Sequence, residues 1–288
     1  MHQPNLVKQL KLRNRGKQMN FSFMSFSCPQ LNLDEMIAIA KRYGYNGIEP
    51  RIDSGHKHGI ELDSVQSSRE KCRQKMEESG ISPCCIATSC SYANPENNEE
   101  MVKTTHRAID LAGDIGSYRI RVFGGAIPEN SNREAAVDIL VKSLNAVAGH
   151  AAERKVTICL ETHDHWCNPK HVADVMKRVN HPAIAVNWDI MHPVRVAKVT
   201  IDEAFSSLKM WMKHVHFHDG ITEEDDKLVM VPIGEGDIDH RRAVELLKTK
   251  GYDGFLSGEW INWESYETHL PRELSTMRKY ESEVPRQN

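Results

Sequence analysis

The 288-residue chain predicts an α/β fold, a single (β/α)8 or TIM barrel spanning residues 20–288 behind a short basic N-terminal extension, residues 1–19. Three observations carry this. From Asn20 onward, short apolar or β-branched runs alternate with longer stretches of helical periodicity, and the count of such pairs reaches eight. Strands alternating with helices imply parallel pairing through right-handed crossovers. Shared among eight units, about 265 residues give roughly 33 each, the size of a βα repeat. The rival doubly wound sheet would open with a Gly-rich phosphate turn after its first strand, where Ser25, Phe26, Ser27, Cys28 and Pro29 stand instead.

The elements follow in order. Asn20 to Ser27 reads as a strand, and Leu33, Met36, Ile37, Ala40 and Tyr43 recur at helical spacing between an Asn32 cap and the Gly44 stop. Next come a strand at Gly47 to Arg51 with a helix from Ser67 to Ser79, and a strand at Pro83 to Ser89 with a helix from Glu99 to Ile115. Gly80 and Gly116 close those two helices. Arg119 to Phe123 precedes a long helix near Asn132 to Arg154, whose Val137, Leu140, Val141, Leu144 and Ala148 form one apolar stripe. The second half pairs Thr157 to Glu161 with a helix from Pro169, and Ile184 to Asp189 with a helix near Ile201. It ends with Lys213 to His218 before a helix at Asp239 to Lys250, and Phe255 to Glu259 before one from Glu267.

Composition narrows the function classes. Hydrophobic residues at 40% and charged residues at 27% place the chain among globular proteins, away from disordered ones. With 37 Lys plus Arg against 40 Asp plus Glu, the net charge is −3, so the electrostatic footprint of a protein gripping DNA phosphates is missing and no nucleic-acid partner is expected. Seven cysteines, an odd number without a C-x-x-C pair, read as reduced thiols in a cytoplasmic protein. No apolar run approaches the roughly 20 residues that cross a bilayer, so no membrane association is expected. The start carries Lys8, Lys11, Arg13, Arg15 and Lys17 without an apolar h-region, which reads as a flexible tail rather than a secretory signal. A homo-oligomer is left open.

An α/β barrel builds its active site at the C-terminal ends of its strands. Strand five ends in Glu161, strand six in Asp189 and strand eight in Glu259, and strand seven carries His216 near its end. Period-two alternation puts Thr157, Cys159 and Glu161 on one face, His214, His216 and His218 on one face, and Phe255, Ser257 and Glu259 on one face. Taken singly, a strand-end carboxylate is more often a solvated end, and a lone His more often packed, than a metal ligand. Four consecutive strands ending this way are harder to explain without a counter-ion. Three carboxylates and one imidazole suit a single Mn²⁺, Mg²⁺, Co²⁺ or Zn²⁺ and do not suit a thiolate-bound structural zinc.

Gly47-Ile48-Glu49, Glu161-Thr162-His163, Asn187-Trp188-Asp189-Ile190-Met191-His192, His214-Val215-His216-Phe217-His218-Asp219, Gly234-Glu235-Gly236-Asp237-Ile238-Asp239 and Gly258-Glu259 together give the chain a resemblance to the xylose isomerase-like barrel superfamily. That group includes ketose 3-epimerases, hydroxypyruvate isomerases, inosose dehydratases and the endonuclease IV group of nucleases. The resemblance implies that Glu161, Asp189, His216 and Glu259 hold one divalent ion and that Glu161 and Glu259 double as the acid/base pair. It also implies proton transfer on a sugar, sugar phosphate or polyol through a metal-stabilised enediolate, as an isomerase or epimerase. An inosose-type dehydratase on the same site is an alternative. So is an endonuclease IV-like phosphodiesterase, for which His56, His58, His163 and His165 would supply further ligands. His192 is implied to contact substrate. Strand seven departs from the commoner His-x-Lys-Asp pattern, with His218 in the place of the Lys. Further candidates for substrate binding are His163, Glu235 in the glycine loop, Arg121 and Trp260. Glu49, Arg51, His165, Trp166 and Trp263 are other rim residues, most of them expected to be solvated or packing groups.

Overall fold

The computed structural model describes residues 18–224 and 227–285 and shows a TIM barrel. Its strands are β1 (Asn20–Met24), β2 (Gly47–Glu49), β3 in two pieces (Ser82–Pro83 and Ile86–Ser91), β4 (Arg119–Phe123), β5 (Thr157–Glu161), β6 (Ile184–Asp189), β7 (Met212–Phe217) and β8 (Phe255–Gly258). All pair in parallel in chain order, and β8 returns to β1, Ser257 opposite Ser22. The first piece of β3 pairs with β2 and the second with β4. A single bridge from Arg51 to Ala87 spans the break, with Ala87 N–H donating to Pro50 O (2.9 Å) and Ile52 N–H to Ala87 O (3.1 Å). Pro83 has no N–H to give to a ladder, which suits a strand interrupted there.

The helices are α1 (Leu33–Tyr43), α2 (Gln66–Ser79), α3 (Asn98–Ile115), α4 (Arg133–Glu153), α5 (Pro169–Val179), α6 (Ile201–Leu208), α7 (His240–Lys250) and α8 (Tyr266–Glu283). Sequence expectations hold to within one or two residues for most of them. Asn32 and Glu35 form a reciprocal capping box on α1, Asn132 and Asp239 cap α4 and α7, and Gly44, Gly80 and Gly116 take left-handed C-caps. The ends of the first two predicted strands need correction. Ser25–Ser27 forms a 3-10 turn, and β2 stops at Glu49. Residues 1–17, most of the predicted extension, lie outside the described residues. Met19 is buried, and its N–H donates to Glu281 Oε1 at 2.7 Å.

Two layers result from the alternation. Phe21, Phe23, Ile48, Ile120, Val122, Ile158, Leu160, Val186, Trp188, Val215, Phe217 and Leu256 are buried among the apolar core residues, and this core fills the space between strands and helices. The alternate positions, Ser22, Glu49, Arg121, Cys159, Glu161, Asn187, Asp189, His214, His216 and Ser257, are equally buried but mostly polar. The interior of the barrel is therefore a hydrogen-bonded and ionic layer, with Glu161, Asp189 and Glu259 buried at the C-terminal ends of their strands.

An antiparallel pair, Asp219–Thr222 with Leu228–Val231, follows β7 and was not expected from sequence. Asp219 organises its return. Its Oδ1 accepts from Gly220 N (2.9 Å) and Ile238 N (3.3 Å), and its Oδ2 from Gly234 N (2.9 Å) and Gly236 N (3.3 Å). Gly236 stands so close to this carboxylate that a Cβ would collide with it. Burial opposes ionisation of Asp219, but the His240 ring and the donated N–H groups outweigh it and hold the carboxyl below its usual range. A depressed carboxyl contributes stability that is present above the unfolded value, about 3.9, and is lost as pH falls through the lower folded value. Asp219→Asn should thus cost roughly 1–3 kcal/mol near neutral pH, with the gap to wild type closing as pH is lowered. Denaturant titrations of both proteins at several pH values check this, and a gap independent of pH would contradict it.

Candidate active site

Four side chains predicted from strand ends converge at the C-terminal mouth. One ligand-type atom from each of Glu161, Asp189, His216 and Glu259 lies within 4.8 Å of the others, and all four residues are buried. The positions follow from register, because Glu161 pairs with Asn187 and Asp189 with His216 across adjacent strands, and Ser257 pairs with His216 two residues before Glu259. His216 is the hub. Its Nδ1 is 2.6 Å from Glu161 Oε1 and 3.1 Å from Glu259 Oε2. Neither approach has hydrogen-bond geometry, so Nδ1 is a buried polar atom without a hydrogen-bond partner, as is Glu161 Oε2.

The other ring nitrogen explains that orientation. His216 Nε2 contacts Glu49 at 3.0 and 3.2 Å, and His214 Nε2 contacts the same carboxylate at 2.7 Å. With Nε2–H donating to Glu49, His216 is left with Nδ1 aimed at the three carboxylates, the arrangement by which an outer carboxylate fixes the tautomer of a metal-ligating histidine. Glu49, His214 and His216 are each fully buried. Burial opposes ionisation of Glu49, yet the two imidazoles hold its carboxyl well below the usual range. Burial opposes protonation of His216 too, but Glu49, Glu161 and Glu259 together raise it well above its ordinary value, whereas His214 is lowered by burial despite Glu49.

Neighbouring groups tie down the remaining members of the cluster. Asn187 Nδ2 donates to Glu161 Oε1 (3.0 Å), and Arg121 Nε lies 3.3 Å from Glu161 Oε2 with its guanidinium 4.0 Å above the Phe123 ring. Asp189 Oδ1 accepts from the N–H groups of Met191 (2.8 Å) and His192 (2.9 Å), at the start of a one-turn helix Met191–Arg195, and Oδ2 meets His218 Nε2 at 2.9 Å. Burial opposes ionisation of Asp189 and Glu259, but His218 holds the first below its usual range and His216 holds the second down at about 2. His163, His192 and His218 follow one another edge to face, with ring centroids 4.4 and 5.6 Å apart. Asp189, His192 and His218 form a second group of ligand-type atoms beside the first, and Glu49, Cys84 and His214 a third.

Not every predicted residue joins this cluster. Glu235 is exposed on the loop held by Asp219. Trp260 is only 1% exposed and packs edge-on against Phe217 (5.4 Å) and beside His269 (5.0 Å). His56, His58 and His165 are in none of the three ligand groups among the described residues. His58 Nε2 meets Arg51 O (3.1 Å), and burial holds its ring down at about 4. Among the residues that sequence reading underused, Glu49 was legible as one more strand-end carboxylate and His214 as an inward neighbour of His216. Asn187 was noted only as part of the Asn187–His192 segment and by its parity with Asp189 was legible as an inward neighbour.

Carboxylates and an imidazole gathered at the strand ends of an α/β barrel form a group that could hold a metal ion. The chain belongs to the xylose isomerase-like TIM barrel family, whose pattern it matches over residues 37–280. It is 27% identical over 182 residues to an uncharacterized protein of Methanocaldococcus jannaschii, covering 59% of this chain and 61% of that one. It is 24% identical over 178 residues to the 2-oxo-tetronate isomerase of Cupriavidus necator, covering 58% and 64%. The matched region is thus under two thirds of the length of either curated relative. Among solved structures, the probable 3-DHS dehydratase AsbF of Bacillus anthracis superposes with a TM-score of 0.76 at 17% identity, over 90% of this chain and 99% of that one. The 3-keto-D-glucoside 4-epimerase YcjR of E. coli gives a TM-score of 0.75 at 16% identity (91% and 100%). The IOLI protein with a bound zinc atom gives 0.74 at 17% (92% and 98%). These structures share the fold.

Proposed function

We propose that the protein is a divalent-metal-dependent sugar or polyol isomerase or epimerase working by proton transfer, with Glu161, Asp189, His216 and Glu259 as metal ligands and Glu161 and Glu259 as the acid/base pair. The observation that carries this is the orphaned His216 Nδ1, fixed by Glu49 and directed at three buried carboxylates. The donor set, mostly oxygen with one nitrogen, fits Mn²⁺, Mg²⁺, Co²⁺ or Zn²⁺. When bound, such an ion polarises a carbonyl and its neighbouring hydroxyl and lowers the cost of removing the carbon-bound proton.

The protein's own groups do the rest. Arg121 and Asn187 hold the Glu161 carboxylate, and Asp189 is held by two backbone N–H groups and His218. One glutamate takes the proton from carbon and the other returns one. Return to the opposite face of the same carbon gives epimerisation, and return to the neighbouring carbon gives isomerisation. His163 and His192 at the mouth offer imidazole groups to substrate hydroxyls, His163 being pushed up to about 9 against burial by Asp164 at 2.8 Å.

Metal titration of the chelator-treated protein should show saturable binding of one ion per chain and a matching rise in melting temperature, since a ligand bound only to the folded state stabilises it. No uptake and no thermal shift with any of the four ions would end this reading. A multinuclear phosphodiesterase is favoured by one feature, the adjoining Asp189, His192 and His218 group. Two or more tight sites per chain, together with cleavage of abasic-site DNA at physiological salt, would place it first. A screen of ketoses, aldoses and inososes in D₂O, read by mass spectrometry, separates isomerase, epimerase and dehydratase by product.

A further inference from the structure

Arg51 is a largely buried cation without an acidic partner. It stands two residues beyond Glu49, and its bridge to Ala87, which pairs in turn with Arg121, puts the two arginines level at the C-terminal end of the barrel with one small residue between them. Arg121 faces the Glu161 carboxylate at 3.3 Å. Arg51 instead donates from Nη1 to Ile52 O and to Ala87 O (3.4 Å) and from Nη2 to Ser89 Oγ, all neutral acceptors, and among the described residues it forms no ion pair. Burial and Arg121 pull it down to about 10 against Asp53 and Glu259, so it stays charged near neutral pH and within electrostatic reach of the cluster at Glu259. Those two, Arg51 and Glu259, also keep accessible surface, at 9% and 8%, whereas Glu49, Arg121, Glu161 and Asp189 have at most 1%. Ser89, which holds the Arg51 guanidinium, is exposed. A partly desolvated charge satisfied only by neutral oxygens is costly, and three hydrogen bonds leave two of a guanidinium's five N–H groups for an anion.

We propose that Arg51 anchors a carboxylate of the substrate, so that the substrate class is an acidic sugar, an aldonate or uronate, with its reacting carbonyl and hydroxyl at the Glu161–Asp189–His216–Glu259 cluster. The placement of the reacting end rests on the functional reading above. Carboxylate and guanidinium match as planar two-point partners, and one unpaired positive charge suits a monoanion. Ser89 adds a donor. Its Oγ accepts from Arg51 and keeps its own proton to give to the same anion. A phosphate monoester, closer to a dianion at neutral pH, calls for a second cation, and Arg121 is already committed to Glu161. A neutral sugar leaves the guanidinium as uncompensated as before.

Binding is measured first, apart from any reaction, by calorimetry on the protein in excess Mg²⁺. The probes are erythronate, gluconate and glucuronate, their neutral counterparts erythritol, glucitol and glucose, and a hexose phosphate. The tightest acid should bind about 10–100-fold more tightly than its neutral counterpart. Arg51→Gln should erase that preference, and Arg51→Lys, which keeps the charge but not the planar fork, should keep part of it. Should Arg51→Gln fail to fold, Ser89→Ala decides, with an expected loss of about 2–10-fold in the preference. Equal binding of acid and neutral probes by wild type overturns the proposal, as does tighter binding of the hexose phosphate than of any acid. So does an undiminished preference in Arg51→Gln, or in Ser89→Ala where that variant decides, which would leave Arg51 as a clamp between the segment after β2 and β3. In the D₂O assay the acids should exchange with the higher kcat/KM, and Arg51→Gln should act mainly by raising KM. Exchange into neutral sugars alone leaves the functional reading standing and removes the acidic substrate. If an acid binds through Arg51 but nothing exchanges deuterium, it is the functional reading that fails and the anion site that stands.

Discussion

Glu161→Gln is expected to abolish solvent-deuterium incorporation into substrate, a loss of at least about 10²–10⁴-fold, while the barrel still folds. Gln keeps the shape and one acceptor oxygen for Asn187 but cannot accept a proton from carbon. It also removes the charge facing Arg121 Nε at 3.3 Å and His216 Nδ1 at 2.6 Å, so some thermal stability should go with it. Glu259→Gln tests the partner in the same way. Reading exchange from C–H to C–D separately from product formation tells the roles apart. The glutamate that abstracts is required for exchange, whereas the one that only returns a proton is required for product. A variant with both wild-type exchange and wild-type product formation would take that residue out of acid/base work.

Glu49→Gln should have the second largest effect, and it acts without touching substrate. Two imidazole Nε2 atoms, from His214 and His216, converge on this carboxylate at 2.7 and 3.0 Å. An amide offers them one oxygen and one N–H₂, so one ring nitrogen then faces a donor. Freed from its fixed tautomer and orientation, His216 should bind metal about 10–100-fold more weakly. Breaking a fully buried ionic cluster should also cost the metal-free protein roughly 3–5 kcal/mol. Competition titration against a fluorescent chelator measures the first effect and denaturant unfolding the second. Glu49→Asp, which keeps the charge, should restore part of the affinity. Unchanged affinity in Glu49→Gln would reduce Glu49 to a packing group.

Much of this architecture was legible from period alone. The strand ends Glu161 and Asp189 fall where alternation places them, because parallel strands covered by helices leave little freedom in register. The split in β3 was not legible. Pro83, Cys84 and Cys85 look apolar enough to continue a strand, and only the three-dimensional path shows one piece pairing with β2 and the other with β4. The Asp219–Thr222 pair was hidden because a four-residue polar segment carries no period. Trp260 was expected near substrate because it follows Glu259. A Cβ at Gly258 would collide with its indole, so it is glycine that lets the ring lie back against Phe217. His218, read as standing in for a substrate-contacting Lys, is engaged with Asp189. Glu49 was seen but not weighed, since its partners lie 165 and 167 residues away.

The division of the barrel into an apolar sleeve outside the strands and an ionic filling inside them means that heat and acid should attack different halves of the molecule. The sleeve of Phe, Ile, Leu, Val and Trp side chains supplies most of the heat-capacity change on unfolding and sets the curvature of stability with temperature. The filling sets the response to pH. Glu49, Asp189 and Glu259 all have depressed carboxyls, so what they contribute is present above the unfolded value, about 4, and drains away as pH falls toward their folded values. Acid well below pH about 4 thus loosens the centre of the molecule while its periphery stays packed, an inside-out order of failure set by the polar lining of the barrel.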